Sequence, residues 1–474
     1  MIDQPDRIAR LTEGDARPPA VIVAVQLPGV TDGELDSSVA ELRRLATTLG
    51  LEVIGRVTQR RTRLAPGIVL GEGKLVELAR WTGGTGEVPA YQKPGTKKSD
   101  EYEAPDVDDD GDDEPDADAD DAATSGAAPA RQAKVVLVDH ELSPTQSHNL
   151  ELATGVDVVD RTSVILEIFH RHARTREARL QVEVARLRYL APRLRGASGG
   201  GDRVRGGIGG KGAGESALEL DRRRIRDRIA ELKDELGRIE GGSKIRRDRR
   251  SELPTVALVG YTNAGKSSLM RALTSTDVYI ADKLFATLDT TVRRLAPPAE
   301  PPILVSDTVG FIKKLPHDLV ASFRSTLDEA GDADLLLHVV DASDPAHADQ
   351  LAVTREVLGE IGAGEQPAWL LLNKIDRVSP EERAALTDRY PGALQLSAKA
   401  SADVAALREK LIEHFGGAME EALLEVPWAQ QRLVHAIHES ATVLAEEHDE
   451  AGTRLRVRAP AKVIAELARR LASN

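Results

Sequence analysis

Eight consecutive residues, Gly260-Tyr261-Thr262-Asn263-Ala264-Gly265-Lys266-Ser267, fit the spacing GxxxxGK[ST]. They leave the apolar stretch Thr255-Val256-Ala257-Leu258-Val259, which reads as a strand, and enter a helical pattern, the setting that a phosphate-binding loop requires. There the backbone N–H groups of the loop and of the helix N-terminus surround phosphate oxygens. Lys266 neutralises oxygens of the β and γ groups, and Ser267 ligates Mg²⁺. Three further groups follow in chain order. Asp307-Thr308-Val309-Gly310 ends the run Ile303-Leu304-Val305, placing Asp307 at a strand end near the metal and Gly310 where backbone meets a γ-phosphate. Asn373-Lys374-Ile375-Asp376 closes a strand over Trp369 to Leu372. The Asp376 carboxylate there accepts two hydrogen bonds from guanine, a pair of donors adenine lacks, while the Asn373 amide faces the other edge. A buried carboxylate left unpaired is costly, so such a site discriminates bases strongly. Ser397-Ala398-Lys399 supplies a backbone N–H to the base carbonyl. Each short motif is weak alone; four in series specify a guanine nucleotide.

Between the first two motifs runs Phe285-Ala286-Thr287-Leu288-Asp289-Thr290-Thr291, the position of a first switch segment. One threonine there completes the Mg²⁺ shell when a γ-phosphate is present. Spacing alone leaves Thr287, Thr290 and Thr291 open. Position 311 is Phe, where several GTPases carry a water-orienting Gln, so intrinsic hydrolysis is expected to be slow, with the water placed by a partner or an internal rearrangement.

The elements that must hold these residues come next. With 474 residues, at roughly 150 per domain, the chain has room for about three domains. Residues 21–160 alternate short apolar runs with helical patterns, so residues 1–160 read as an N-terminal parallel α/β domain interrupted by an acidic insert at about 90–130. Between Ala90 and Ala130, 14 Asp or Glu face 3 Lys in a segment rich in Asp, Ala, Gly and Pro, a composition that predicts disorder. Residues 161–250 form a helical arm. Leu180, Val184, Leu187, Ala191 and Leu194 repeat at coiled-coil spacing, as do Ile225, Ile229, Leu232, Leu236 and Ile239, so two helices pair as an antiparallel hairpin. The tip between them, Gly196 to Gly214, has ten glycines in 19 residues together with Arg203, Arg205 and Lys211. Glycine admits close approach and cations attract phosphate, so the tip reads as a nucleic-acid probe. Residues 251–418 form a P-loop domain with a doubly wound, mostly parallel sheet. Residues 419–474 form a small α+β domain, with a helix near 429–447, a strand at 454–458 and a final helix from 461 to 471.

The formal net charge of −14 hides this partition. From Asp160 to Arg250, 24 Lys or Arg face 14 Asp or Glu, a basic arm on an acidic protein. That is the footprint of a molecule touching phosphate backbones with one part only. The absence of cysteine excludes disulfides and thiolate metal sites. Aromatic residues at 3% argue against an RNA surface built on stacked rings. The acid- and proline-containing start lacks a secretory pattern and no apolar run could span a bilayer, so a cytoplasmic protein without integral membrane association is expected.

With these residues in hand, the chain resembles the HflX-type GTPases of the Obg-HflX group. The resemblance rests on Gly71-Glu72-Gly73-Lys74, Asp160-Arg161-Thr162, Ile168-Phe169, Gln181-Val182-Glu183 and the tip from Gly206 to Glu215. It continues through Asp221-Arg222-Arg223, Gly260 to Ser267, Phe285 to Asp289 and Asp307 to Ile312. It implies Thr287 as the switch ligand of Mg²⁺ and borders the nucleotide with Phe285, Ala286, Thr287, Leu288 and Asp289. Lys266, Thr287 and Gly310 become the groups that serve GTP hydrolysis to GDP and phosphate. The acidic insert is not part of the family pattern, and Thr290 stands where proline is more usual. The implied activity is a GTP switch that binds the 50S ribosomal subunit, its first domain and arm reaching 23S rRNA rather than DNA, and that splits or recycles stalled 70S ribosomes with subunit-stimulated hydrolysis. The alternative is an assembly or hibernation factor in which turnover is incidental. A monomer is the default expectation.

Overall fold

A computed structural model describes residues 17–88, 131–194, 217–250, 253–275, 285, 291–299, 302–314, 329–417, 419–449 and 451–472. The acidic insert at about 90–130, the tip cations Arg203, Arg205 and Lys211, and the switch residues Ala286, Thr287, Leu288 and Asp289 lie outside them. The chain divides into two compact units, Met1–Val164 and Ile165–Asn474.

In the first unit, β1 (Pro19–Gln26), β2 (Glu52–Arg60), β3 (Val135–Val138) and β4 (Asp157–Asp160) make a sheet of order β2-β1-β3-β4 in which every pairing is parallel. The strands cross over through α1 (Asp32–Leu49), α2 (Glu72–Thr82) and α3 (Pro144–Thr154). The unbroken run Ala20-Val21-Ile22-Val23-Ala24-Val25 is buried on both faces, as a central parallel strand must be. Thr31 and Glu34 form a capping box at the start of α1, and Gly50, at φ 88°, ends it. Leu42, Leu45 and Leu49, spaced three and four apart, are its buried stripe.

The division between the units falls inside α4 (Arg161–His172). After it, α5 (Arg176–Leu190) and α6 (Ala217–Arg250) pack along one seam. Leu180, Val184, Leu187, Ile225 and Leu232 are its buried residues, and Ala191, Leu194, Ile229, Leu236 and Ile239 flank them. The pairs Arg176–Glu235 at 2.6 Å and Arg228–Glu183 at 3.2 Å run in opposite chain directions, so the two helices are antiparallel. Such exposed ion pairs contribute at most about 1 kcal/mol each, and the apolar seam holds the hairpin.

The second sheet has six strands: β5 (Thr255–Gly260), β6 (Thr291–Arg294), β7 (Leu304–Asp307), β8 (Leu335–Asp341), β9 (Ala368–Asn373) and β10 (Leu394–Gln395). Their order is β10-β9-β8-β5-β7-β6, parallel except for the β6–β7 edge. With α7 (Lys266–Thr274), α8 (His347–Glu360), α9 (Pro380–Arg389) and α10 (Ser401–Gly417), this is a doubly wound α/β fold. The order turns about β5, whose neighbours β7 and β8 come from opposite windings. The crevice at its carboxyl end is where such folds take ligands.

The C-terminal segment corrects one sequence expectation. The helix expected near 429–447 is only α11 (Arg432–Ser440); Thr442–His448 is instead strand β12. It pairs antiparallel with β13 (Gly452–Pro460), which also pairs with β11 (Met419–Pro427), a strand the sequence reading did not assign. Ala441, extended at φ −137°, breaks the helix, and the β13 ladder outweighs the strong intrinsic helical preference of Leu444-Ala445-Glu446-Glu447. Helix α12 (Ala461–Ala472) covers this sheet with α11 through Val463, Leu467 and Ile437. Among the described residues no helix is long and apolar enough to cross a membrane.

Candidate functional site

The loop from Gly260 to Gly265 stands at the carboxyl end of β5, between the ends of β7 and β8. Its backbone turns back on itself through Asn263 at φ 61° and Gly265 at φ 101°. At position 265 a side chain would also collide with the Asn373 amide nitrogen, so only glycine serves. Lys266 opens α7 with a buried head, its Nζ donating to the carbonyls of Gly260 and Tyr261 at 2.9 Å each. Burial pushes its ammonium down to about 8, partly offset by the Asp307 carboxylate. The side chain is thus already aimed along the loop, toward the oxygens it would neutralise.

Asp307 ends β7 and is fully buried, with its Oδ2 accepting from the Ser267 hydroxyl at 2.7 Å. A hydroxyl and a carboxylate oxygen side by side at the mouth of a phosphate loop are hard oxygen donors of the kind Mg²⁺ takes. The residues present fit that ion. Thr308 turns away, its hydroxyl donating to the Leu258 carbonyl at 2.7 Å. Val309 is buried. Gly310 lies so close to the loop that a Cβ would stand 2.9 Å from Thr262 Cα.

The residues expected to recognise a base are brought together, with two differences from expectation. The Asn373 amide, expected to face the base, is engaged at both ends: Nδ2 donates to the Ala264 carbonyl at 2.8 Å, and Oδ1 accepts from Ala398 N–H at 3.0 Å. It ties the phosphate loop to the Ser397-Ala398-Lys399 turn, because an amide buried to 1% exposure has to satisfy its donor and its acceptor. Lys374, at φ 62°, continues the tie through Nζ to the Asn263 carbonyl and to Asp341 Oδ2, both at 2.7 Å. Asp376 was expected to be a buried carboxylate but stands exposed on the rim. A hydrogen bond from the Ser397 side chain holds it below the usual carboxylate range, with Lys399 and Arg377 adding to the effect. It is therefore ionised and ready to accept, and a base stacked over it would supply the burial. Its neighbour Ile375 is buried. Ser397 N–H donates to Asp403 at 2.7 Å and Lys399 N–H to Ser397 Oγ at 3.3 Å, which hold the turn in shape.

Phe285 is the one residue of Phe285–Asp289 within the described set. It is 2% exposed, at φ 57°, and packs edge-on against Phe169 of α4, ring centroids 4.6 Å apart. Of the three threonines left open by spacing, Thr291 heads β6 and pairs with Asp307 in the ladder. Sequence reading missed three contributors: Asp341, Asp403 and Phe169. Asp341 ends the apolar run Leu335-Leu336-Leu337-His338-Val339-Val340 as Asp307 ends its own, a signal that was there to be used. Asp403 and Phe169 carry no such signal, since one acts from within a helix and the other from 116 residues away.

Three family models match the chain: a "GTP-binding GTPase N-terminal" region over residues 36–87 and 122–170, a "GTP-binding GTPase Middle Region" over 172–250, and a "50S ribosome-binding GTPase" over 255–374. A GTPase HflX from Gluconacetobacter diazotrophicus is 56% identical over 463 residues, covering 97% of this chain and all of that one. The GTPase HflX of Escherichia coli K12 is 37% identical over 451 residues, with 94% of each chain covered. Among solved structures, a GTP-binding protein from the archaeon Sulfolobus solfataricus in complex with GDP is 21% identical and covers 83% of this chain and 98% of that one, at a TM-score of 0.39.

Proposed function

The chain belongs to the HflX family of GTPases, and on that premise we propose that it is a GTP-hydrolysing switch that binds the large ribosomal subunit and separates stalled 70S ribosomes. The observation that carries the nucleotide part is the closed set of ties among the loop at 260–267, Asp307, Asn373 and the turn at 397–399. Four segments distant in sequence are locked into one mouth whose free edge carries the ionised Asp376. Support for the ribosomal part is the family model over 255–374 and the basic arm.

In the proposed cycle, N–H groups of residues 260–267 and the Lys266 ammonium bind the phosphates, and Asp376 accepts from guanine. Ser267 and Thr287 would ligate Mg²⁺, with Asp307 beside them. When bound, the ion neutralises charge on the outer phosphates. Gly310 N–H faces the third phosphate once the segment around it opens. Water attacks the γ-phosphorus, the bond to the β-γ bridging oxygen breaks, and GDP and inorganic phosphate leave. Phe311 has no group with which to orient that water, so turnover waits on the ribosome. The arm, with Arg203, Arg205 and Lys211 at its tip, contacts 23S rRNA, and hydrolysis releases it.

The test is co-sedimentation of the purified protein with 50S subunits, 30S subunits and 70S ribosomes, with GDP or a non-hydrolysable GTP analogue. The expected result is association with 50S that needs the analogue and weakens steeply with salt. Association indifferent to the nucleotide would defeat the switch. Replacing Arg203, Arg205 and Lys211 together by Ala is expected to lower subunit affinity and leave nucleotide affinity as it was. Asp376→Asn is expected to erode guanine preference in competition with ATP.

A further inference from the structure

The turn beyond Gly310 is fastened to the phosphate loop by contacts that nucleotide binding does not require. Tyr261 and Phe311 form a parallel β-bridge that carries the β5–β7 pairing past the strand ends. Phe311 N–H donates to the Gly260 carbonyl at 3.2 Å, and Thr262 N–H donates to the Phe311 carbonyl at 2.8 Å. Side chains add to it: Lys313 N–H donates to the Tyr261 hydroxyl at 2.6 Å, and Lys313 Nζ donates to Asp349 of α8 at 3.1 Å. Tyr261 is 4% exposed, Phe311 1% and Ile312 fully covered, so these bonds lie in a low-dielectric setting that strengthens them.

So fastened, Gly310 rests on the loop. A Cβ there would stand 3.1 Å from Lys266 Nζ and 2.9 Å from Thr262 Cγ2. The ammonium expected to grip the outer phosphates thus lies so near Gly310 that even a methyl group would crowd it, which leaves little space there for a third phosphate. The Thr262 N–H, a phosphate donor, is taken by a carbonyl oxygen, which also repels a phosphate oxygen. The Thr262 hydroxyl beside it is buried and without a hydrogen-bond partner, a donor with nothing yet to bond. A diphosphate held deeper, by the loop amides and the start of α7, meets none of these obstacles. A triphosphate meets all of them.

From this geometry we propose that Tyr261 is a positioning residue that sets the preference of the site between guanosine di- and triphosphate. Its hydroxyl latches the 310–313 turn over the seat of the third phosphate. The triphosphate enters by exchanging the Phe311 carbonyl for a phosphate oxygen on Thr262, and its apparent affinity is reduced by the fraction of molecules with the latch closed. This inference rests on the nucleotide reading above and adds a determinant of selectivity to it.

The test is Tyr261→Phe, which removes only the hydroxyl. Binding of fluorescent GDP and of a fluorescent non-hydrolysable GTP analogue is measured on the full-length wild type and variant. The analogue-to-GDP affinity ratio is expected to rise about five-fold, the worth of one hydrogen bond. Lys313→Ala keeps the N–H and removes only the partly exposed ion pair to Asp349, so it is expected to raise the ratio less than Tyr261→Phe does. An unchanged or lowered ratio in Tyr261→Phe, or an equal rise in Lys313→Ala, would overturn the latch while leaving the nucleotide reading intact. A wild-type protein that binds neither nucleotide would overturn both.

Discussion

The same two side-chain types meet at the carboxyl ends of strands in two different sheets. In the first unit the Ser38 hydroxyl donates to Asp139 Oδ2 at 2.6 Å, just beyond β3; in the second the Ser267 hydroxyl donates to Asp307 Oδ2 at 2.7 Å, at the end of β7. Both aspartates are fully buried. What surrounds them differs. Asp139 receives a guanidinium: Arg161 Nη1 donates to it at 2.7 Å and Nη2 to Glu41, with all three side chains at most 3% exposed. Asp307 has beside it a glycine loop of backbone N–H groups and a lysine whose ammonium is turned into that loop. One sheet neutralises its buried carboxylate with its own side chains and is complete. The other offsets its carboxylate in part with the buried Lys266 ammonium, at the mouth of a loop of backbone N–H groups, and that is the physical difference between the two clusters.

The largest effect is expected where the internal neutralisation is removed. Burial opposes the charge on Arg161, and Glu41 and Asp139 more than restore it. Arg161→Met leaves two carboxylates buried without their cation, a change that costs about 3–5 kcal/mol. Denaturant unfolding monitored on the first unit is expected to register that loss while nucleotide binding by the second unit persists. A loss below about 1 kcal/mol would mean that Arg161 is no more than a packed side chain.

A second contrast concerns acid. On β8, His338 is 8% exposed, and its Nδ1 has no hydrogen-bond partner. Burial, aided by the Arg355 charge, pushes it down to about 4 from the usual 6.5. The unfolded chain therefore binds a proton between these values that the folded chain refuses, so stability rises with pH across that window and is lost on acidification from about 6.5 towards 4. Some 2.5 pH units correspond to about 3 kcal/mol at most. His338→Leu is expected to flatten that part of the stability–pH profile of the second unit. If the slope survives the substitution, other groups own it.

These contrasts also mark what sequence could reveal. The phosphate loop was legible because its chemistry is local: eight adjacent residues supply the strand end, the turn and the helix start. The hairpin seam was legible because its period is that of the helix, and Leu180 through Leu194 and Ile225 through Ile239 are the residues found in it. The Arg161 cluster was not, since its partners Ser38, Glu41 and Asp139 lie on two other elements, 22 to 123 residues away. The Phe169–Phe285 contact and the Asn373 tie to Ala264 were hidden for the same reason. In the C-terminal sheet, β12 was read as helix because a strand of alternating Val443, Ala445 and Glu447 owes its state to its β13 partner, which local propensity does not encode.

The comparison is sharpened by a substitution that keeps shape and removes charge. Asp307→Asn is expected to lower GTP hydrolysis by about 10- to 100-fold, the scale for a group that supports a metal site, while stability holds or improves. A carboxylate buried with only the Lys266 ammonium to offset it is costly to keep, and an amide lifts that cost. If Asp307→Asn hydrolysed GTP at the wild-type rate, Asp307 would be as structural as Asp139.

The smallest effects belong to the two serines, and they are expected to fall on opposite properties. Ser38→Ala deletes a buried donor to a charged acceptor, which costs about 1.5 kcal/mol of stability in the first unit. Nucleotide affinity is expected to be unmoved. Ser267→Ala deletes the matching donor, but Ser267 is only half-buried, so water can take the vacated place on Asp307 and stability changes by less than about 0.5 kcal/mol. In the proposed reading it gives up a hard oxygen donor, and the Mg²⁺ concentration needed for half-maximal GTP hydrolysis is expected to rise several-fold. Melting temperature and magnesium titration, measured on both variants, therefore form a two-by-two comparison whose off-diagonal entries are blank. Should Ser38→Ala shift the magnesium requirement, or Ser267→Ala lower the melting temperature as much as Ser38→Ala does, the two hydroxyl–carboxylate pairs would be doing the same job.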